Sequence, residues 1–145
     1  MASKWLQIFL ASSMVVVFVC IDVYFNYQDL TSPPLCKRDS CVNKDAANEN
    51  CNRDAKTLVK QVVENIKVEF RYSKSCDAGW SRASAPPRSE LYVQDTQGNK
   101  YGRYSVTFDT KAGDHFGDMG AGKQLRACVK LPDEGNHIIC TEVPN

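Results

Sequence analysis

The sequence predicts a small, mostly β domain, an antiparallel sheet, sandwich or barrel, held by three disulfides and preceded by one N-terminal transmembrane helix. Three observations predict this class: six cysteines in a polar sequence, short segments of alternating apolar and polar residues, and one long apolar run. The chain has 145 residues, of which 43% are hydrophobic. That length and composition support a single hydrophobic core.

The apolar run extends from Trp5 to Phe25 and contains few polar residues. At about 1.5 Å per residue this length crosses the hydrocarbon core of a bilayer. Lys4 precedes the run, so the positive-inside rule places the N-terminus in the cytoplasm and the rest of the chain outside it. The expected organisation is a cytoplasmic N-terminus at 1–4, a signal anchor at 5–27, a linker at 28–35 and an extracytoplasmic domain at 36–145.

A cleaved signal peptide also begins with a basic residue and an apolar stretch. Its cleavage site requires small residues, whereas this run ends through the mostly bulky segment Val19 to Phe25. We therefore expect a single-pass membrane protein whose C-terminal domain lies outside the cytoplasm. The alternative is a protein that is secreted after cleavage.

Six cysteines lie outside the apolar run, and an even set of this size is typical of an oxidising compartment. Zinc sites generally use closer pairs, such as Cys-x2-Cys, whereas the tightest spacing here has four intervening residues. The spacing therefore favours disulfides, and we expect no metal and no cofactor. The six are Cys36, Cys41, Cys51, Cys76, Cys128 and Cys140.

Six cysteines allow fifteen pairings, so the connectivity is a hypothesis. The pairing of Cys128 with Cys140 rests on two adjacent strands predicted at 125–131 and 137–143. The remaining pairs that we expect are Cys41 with Cys51 and Cys36 with Cys76.

Alternation of apolar and polar residues predicts further strands. Val68, Phe70 and Tyr72 alternate with charged residues, and segments 91–94 and 101–108 flank a hairpin turn at 95–99. Asp54 to Glu64 is the one helix candidate, because apolar residues recur there at helical spacing. Three valines in that segment suit a strand equally well, so both structures remain open.

Charge and motifs exclude two classes of partner. Lys and Arg number 18 against 17 Asp and Glu and are mixed along the chain, so we expect no nucleic-acid partner. The segment 117–124 resembles a phosphate-binding P-loop, but Gln124 replaces the hydroxyl residue that would bind Mg²⁺. We interpret it as a flexible glycine loop.

Arg71, Tyr72, Trp80 and Arg82 form the candidate binding cluster. Aromatic rings stack on sugars and guanidinium groups bind anions, so this set suits a sugar or an acidic polymer. Trp80 has a second interpretation, in which it packs in the core beside the disulfide of Cys76. Aromatic residues in small disulfide-containing domains are usually buried, which favours that second interpretation.

Five motifs lie around this cluster and the cysteines: Cys36-x4-Cys41, Cys51 with Asp54-Ala55, Arg71-Tyr72-Ser73-x-x-Cys76-x-x-x-Trp80-x-Arg82, Ala127-Cys128 and Cys140-Thr141. Together they resemble a known bacterial family, the domain of unknown function 2690. The resemblance covers roughly Cys36 to Thr141 and implies a small exported domain joined to a single membrane helix, with no established activity.

We therefore expect a non-enzymatic binding module whose partner is an envelope protein or a cell-wall polymer. The alternatives are an extracytoplasmic hydrolase that uses His115 or His137 with Asp114 or Asp118, and a secreted effector or inhibitor if the anchor is cleaved. The hydrolase lacks a nucleophile motif, because no serine lies in a Gly-x-Ser-x-Gly elbow and paired cysteines have no free thiol.

Overall fold

The computed structural model describes residues 32–108, 113–132 and 137–145. The predicted anchor at 5–27 lies outside these residues, and none of the helices within them is long and apolar enough to cross a membrane. The elements in chain order are a 3₁₀ helix (Arg38–Cys41) and strands β1 (Lys56–Val63), β2 (Ile66–Ser73), β3 (Ala78–Ala85), β4 (Glu90–Gln94), β5 (Lys100–Ser105), β6 (Gly113–Phe116), β7 (Gly120–Ala121), β8 (Arg126–Lys130) and β9 (Ile138–Cys140).

The strands form two antiparallel sheets that pack as a sandwich. Sheet A has the order β1-β2-β3-β6, with β7 also paired to β3, and sheet B has the order β5-β4-β8-β9. The predicted fold class, mostly β, antiparallel and containing three disulfides, is confirmed. The hairpin predicted around 95–99 is confirmed as β4 and β5.

The main core lies between the two sheets, because each sheet directs alternate side chains inward. Sheet A contributes buried apolar side chains of β2 and β3, and sheet B contributes those of β4, β8 and β9. Its buried members are Val68, Phe70, Ala83, Ala85, Leu91, Val93, Val106, Leu125, Ala127, Val129 and Ile139.

A second, smaller core lies on the other side of sheet A, which we call the outer face. There the segment 36–52, the polar lobe, packs its three cysteines, together with Cys76 of the β2–β3 turn, against Trp80 and Met119. Backbone hydrogen bonds fix the lobe in place, since the Asn43 N–H donates to Met119 O at 2.8 Å and the Met119 N–H donates to Lys44 O at 2.9 Å. The lobe is polar in sequence but supplies this second core through its cysteines.

The predicted disulfide between Cys128 and Cys140 is confirmed. The two residues lie directly opposite each other on β8 and β9, with their Cα atoms 4.1 Å apart. The hairpin geometry inferred from alternation therefore gives the correct partner.

The other two predicted pairings, Cys41 with Cys51 and Cys36 with Cys76, are wrong. The structure joins Cys36 to Cys41 and Cys51 to Cys76. The 3₁₀ turn at Arg38–Cys41 folds the chain back on itself within five residues. The Cα atoms of Cys36 and Cys41 therefore lie 5.1 Å apart. The end of the lobe then lies beside the β2–β3 turn, which contains Cys76.

Of the two structures that the sequence allows for 54–64, the strand is found and the helix is not: Lys56–Val63 is β1, at the edge of sheet A. A register shift between Thr57 and Val59 interrupts the alternation of the strand. Leu58 and Val62 are exposed, and Val59 is only half-buried. Apolar residues on both faces of an edge strand thus imitate the helical period.

Candidate functional site

The candidate binding residues Arg71 and Trp80 lie directly opposite each other on β2 and β3, and Glu69 faces Arg82 in the same register. Opposed residues in an antiparallel pair project to the same face of the sheet. Arg71, Trp80 and Arg82 therefore share the outer face. Tyr72 belongs to the opposite face, since successive residues of a strand alternate.

Tyr72 has a local structural role. Its hydroxyl donates a hydrogen bond to Asp77 Oδ1 at 2.8 Å, and the other oxygen of Asp77 accepts one from Arg38 at 3.2 Å. Burial, followed by the hydrogen bond to Asp77, raises the pKa of Tyr72 to about 12. The side chain therefore stays neutral and ties the β2–β3 turn to the start of the polar lobe.

Arg82 is neutralised by carboxylates of its own chain. Its guanidinium contacts Glu69 at 3.3 Å and Asp114 at 2.5 Å, and Lys67 lies 3.7 Å from Asp114. The same guanidinium lies over the Phe116 ring, 5.6 Å from its centroid. A ligand anion would have to displace these carboxylates, so Arg82 is poorly placed to bind one.

The pKa of Asp114 reflects the same network. Partial burial acts to raise it, but the hydrogen bond from Arg82 and the charges of Arg82 and Lys67 outweigh burial and hold it below its usual value. Asp114 is thus a charged partner of Arg82 at neutral pH.

Arg71 differs from Arg82 because it forms no ion pair in the described part of the chain. Its guanidinium donates to Ala55 O at 3.1 Å and to Thr57 Oγ1 at 3.3 Å, which are neutral acceptors. Its Nε is buried and has no hydrogen-bond partner among the described residues. The positive charge of Arg71 is therefore uncompensated on a half-buried surface.

This arginine lines a pocket of about 200 Å³ between the polar lobe and the outer face, which we call the Arg71 pocket. Trp80 is 2% exposed and contributes to the lining, whereas Phe116 is 49% exposed. The lining residues are Asp45, Ala46, Ala47, Asn52, Arg71, Trp80, Phe116 and Gly117.

The lobe side of the pocket is shaped by Asp45. Its Oδ1 accepts hydrogen bonds from the backbone N–H groups of Ala47 at 2.9 Å and Asn48 at 2.8 Å. The two alanines that follow Asp45 in this turn, Ala46 and Ala47, line the pocket. The pocket thus combines an apolar wall with the Arg71 guanidinium, which has no ion pair among the described residues, and with the Asp45 carboxylate on the lobe side.

A family model matches residues 39–126, which is more than half of the chain. The chain belongs to DUF2690, a family of proteins of unknown function. Every residue that lines the Arg71 pocket falls within the DUF2690 match, as does the segment from Arg71 to Arg82. No curated protein and no solved structure matches the chain.

The residues proposed for a hydrolase are separated in this DUF2690 domain. His115 is buried between the sheets opposite Ala83, and its ring stacks on Tyr104 with centroids 6.4 Å apart. Asp114 points the other way, to Arg82 on the outer face. The sequence neighbours Asp114 and His115 therefore do not form a dyad.

The remaining hydrolase candidates are His137 and Asp118. His137 is exposed beside β9, whereas Asp118 is half-buried near the polar lobe. Burial, with a smaller effect of the Asp45 charge, raises the pKa of Asp118.

Sequence reasoning did not identify Phe116, Asn52 or Asp45 as part of a site. Phe116 ends β6, a strand of four residues that is too short for alternation to reveal. Asn52 and Asp45 belong to the polar lobe, where no apolar pattern indicates which side chains approach the sheet. The exposure of a large aromatic residue becomes visible only once the sheet is assembled.

Proposed function

We propose that the chain is a non-enzymatic binding module at the cell envelope and that the Arg71 pocket binds an acidic sugar unit of an envelope polymer. The observation that carries the proposal is the half-buried guanidinium of Arg71, which lacks a carboxylate partner among the described residues and lines an apolar pocket with Phe116. A carboxylate on the ligand would supply the missing partner through two parallel hydrogen bonds.

The volume of the pocket limits what it holds. At about 200 Å³ it is smaller than the roughly 300–1,000 Å³ of sites that enclose a drug-sized molecule. It therefore accommodates one ring or side group of a longer ligand. The exposed ring of Phe116 supplies the stacking surface, since Trp80 is almost fully buried.

The cellular location rests on two features of the chain. Three disulfides suit an oxidising compartment outside the cytoplasm. The apolar run from Trp5 to Phe25 supports an uncleaved anchor that would hold the domain at the membrane surface. Both features are consistent with a ligand in the envelope.

The test uses the full chain in its oxidised form. Isothermal titration compares a uronic-acid oligosaccharide with the same oligosaccharide after its carboxylates have been reduced to alcohols. We expect the acidic form alone to bind and Arg71→Gln to weaken it by at least about tenfold, because a charged hydrogen bond contributes about 1.5–3 kcal/mol. Arg103→Gln is the matched control, since Arg103 lies on sheet B and pairs with Glu90.

Folding is checked for each variant by circular dichroism, because Arg71 also donates to Ala55 and Thr57. Arg71→Lys provides a second variant that keeps the charge but loses the planar fork, and we expect intermediate binding. Equal affinity of the folded Arg71→Gln variant and the natural sequence would overturn the proposal. Failure of both oligosaccharides to bind would overturn the acidic-sugar assignment.

A further inference from the structure

The disulfide within the polar lobe and the disulfide that joins the lobe to the β2–β3 turn lie against each other. The Sγ atoms of Cys36, Cys41, Cys51 and Cys76 all lie within 4.8 Å of one another. The Sγ atoms of Cys36 and Cys51, which belong to different disulfides, are 3.7 Å apart. The fold thus gathers four sulfur atoms from the polar lobe and from the β2–β3 turn.

This arrangement is close to the geometry of a tetrathiolate zinc site. A tetrahedral Zn²⁺ with Zn–S bonds of about 2.3 Å holds its sulfurs about 3.8 Å apart. The separation of Cys36 and Cys51 already has that value. The two bonded sulfur pairs would have to move apart by about 1.8 Å each, and the remaining separations, which are at most 4.8 Å, would have to adjust to the same value.

The surroundings of the four sulfurs suit a closed structural site. Cys36 is 6% exposed, and Cys41, Cys51 and Cys76 are fully buried. Structural zinc sites have four protein ligands and exclude water from the metal. The Trp80 and Met119 side chains complete the same buried cluster and would form the apolar shell around the ion.

We propose that the reduced chain binds one Zn²⁺ through the thiolates of Cys36, Cys41, Cys51 and Cys76. Each of the two disulfides first accepts two electrons and two protons, which gives four thiols. A thiol reductant supplies both and becomes a disulfide, whereas a phosphine supplies the electrons and becomes a phosphine oxide, with the protons and the oxygen coming from water. Each thiol then releases its proton to solvent and forms one Zn–S bond, so the complex carries a charge of minus two. The third disulfide, Cys128 with Cys140, lies on sheet B and takes no part.

Zinc would give the polar lobe a second means of staying folded. Where the compartment is oxidising the two disulfides hold the lobe on Trp80, and where thiols are reduced the metal holds it there. The inference concerns the state of the chain before its cysteines are oxidised, and it is independent of whether the Arg71 pocket binds a sugar.

The experiment uses the full chain, reduced with a phosphine under anaerobic conditions and titrated with Co²⁺ as a spectroscopic substitute for Zn²⁺. We expect one Co²⁺ per chain, with the intense visible bands of a tetrahedral site and sulfur-to-cobalt charge transfer, displaced by one Zn²⁺. Cys51→Ser/Cys76→Ser should lose the tetrahedral spectrum. Cys128→Ser/Cys140→Ser is the matched control and should retain it.

A measurement on the natural sequence covers the case in which a serine variant does not fold. Alkylation followed by mass spectrometry should show that Zn²⁺ slows the reaction at Cys36, Cys41, Cys51 and Cys76 and leaves Cys128 and Cys140 unchanged. Absence of a tetrahedral cobalt spectrum in the reduced natural sequence would overturn the proposal. Equal protection by zinc at all six positions would overturn it as well.

Discussion

Arg71 and Trp80 face each other across β2 and β3, yet they differ in exposure: Trp80 is almost fully buried and Arg71 is half-buried. The indole packs with the cysteines of the polar lobe, so it supports the floor of the pocket and offers little surface to a ligand. Under the proposed function, this relationship gives ligand contact to Arg71 and a supporting role to Trp80. The two roles lead to different expected effects of mutation.

Trp80→Ala should lower the free energy of unfolding by about 3–5 kcal/mol, because it removes a buried aromatic side chain and leaves a cavity under the lobe. Phe116→Ala should cost less than about 1 kcal/mol, since Phe116 is half-exposed and a cation–π interaction with Arg82 at an exposed site contributes only about 0.5–1 kcal/mol. Urea unfolding followed by fluorescence and circular dichroism measures both. Equal losses of stability would contradict the burial of Trp80.

Disulfide mapping should give peptides that join Cys36 to Cys41 and Cys51 to Cys76. Proteolysis without reduction, at acidic pH to prevent exchange, followed by mass spectrometry, identifies the linked peptides. The Cys128–Cys140 peptide serves as an internal control, because two paired strands determine it. A peptide that links Cys41 to Cys51 would contradict the structure of the lobe.

The elements that the sequence predicted correctly are those in which burial on one face produces alternation. Strand β2 and the β4–β5 hairpin are of this kind. Strand β3 was not predicted, because it is built from small residues. At Gly79 a Cβ atom would overlap the Phe70 ring, so close packing in the centre of the sheet requires residues with little hydrophobic signal.

The sequence predicted only part of the candidate site, because the rest depends on how neighbouring strands are aligned. The side chains of Arg71, Trp80 and Arg82 do share a face, but the ion pairs that neutralise Arg82 come from Glu69 and Asp114 on neighbouring strands. Those partners depend on sheet register, which a single sequence does not specify without the turns. The predicted disulfide pairing of the lobe cysteines was wrong for a similar reason, because a 3₁₀ turn of polar residues has no periodic apolar pattern that a sequence could reveal.

Asp54→Ala should remove a stabilising contribution that depends on pH. Burial acts to raise the pKa of Asp54, but hydrogen bonds from Ser73 and Ser75 outweigh it and lower the pKa. A depressed folded pKa means that the contribution is complete above about pH 4, near the unfolded value, and is lost as the pH falls through the folded pKa. The stability difference between natural sequence and variant should therefore shrink in acid.

Urea unfolding of both proteins at a series of pH values from neutral to acidic measures that difference. Ser75→Ala removes one hydroxyl donor to Asp54 and should show a smaller difference with the same pH dependence. A difference that stays constant down to strongly acidic pH would contradict the role of the charged carboxylate.

Gly102→Ala should destabilise the domain because three segments meet at this position. Gly102 has φ +61°, and a Cβ atom there would overlap the backbone carbonyl of Asp118. Its N–H also donates to Asn43 Oδ1 at 2.8 Å, which links β5 to the polar lobe. We expect a loss of about 2–4 kcal/mol, from the left-handed backbone and the overlap together.

Gly98→Ala is the matched control for Gly102→Ala. Gly98 also has positive φ, at +91°, but the nearest atom to an added Cβ is Gln94 Nε2 at 3.8 Å. Gly98→Ala should therefore lower the free energy of unfolding only by the cost of placing alanine at positive φ, about 1–2 kcal/mol. Thermal unfolding of the two variants separates the effects, and a Gly98→Ala loss equal to that of Gly102→Ala would mean that β5 does not approach Asp118 closely. Asn43 belongs to the lobe that covers Trp80. Gly102→Ala should therefore also lower the affinity of the Arg71 pocket for its proposed ligand.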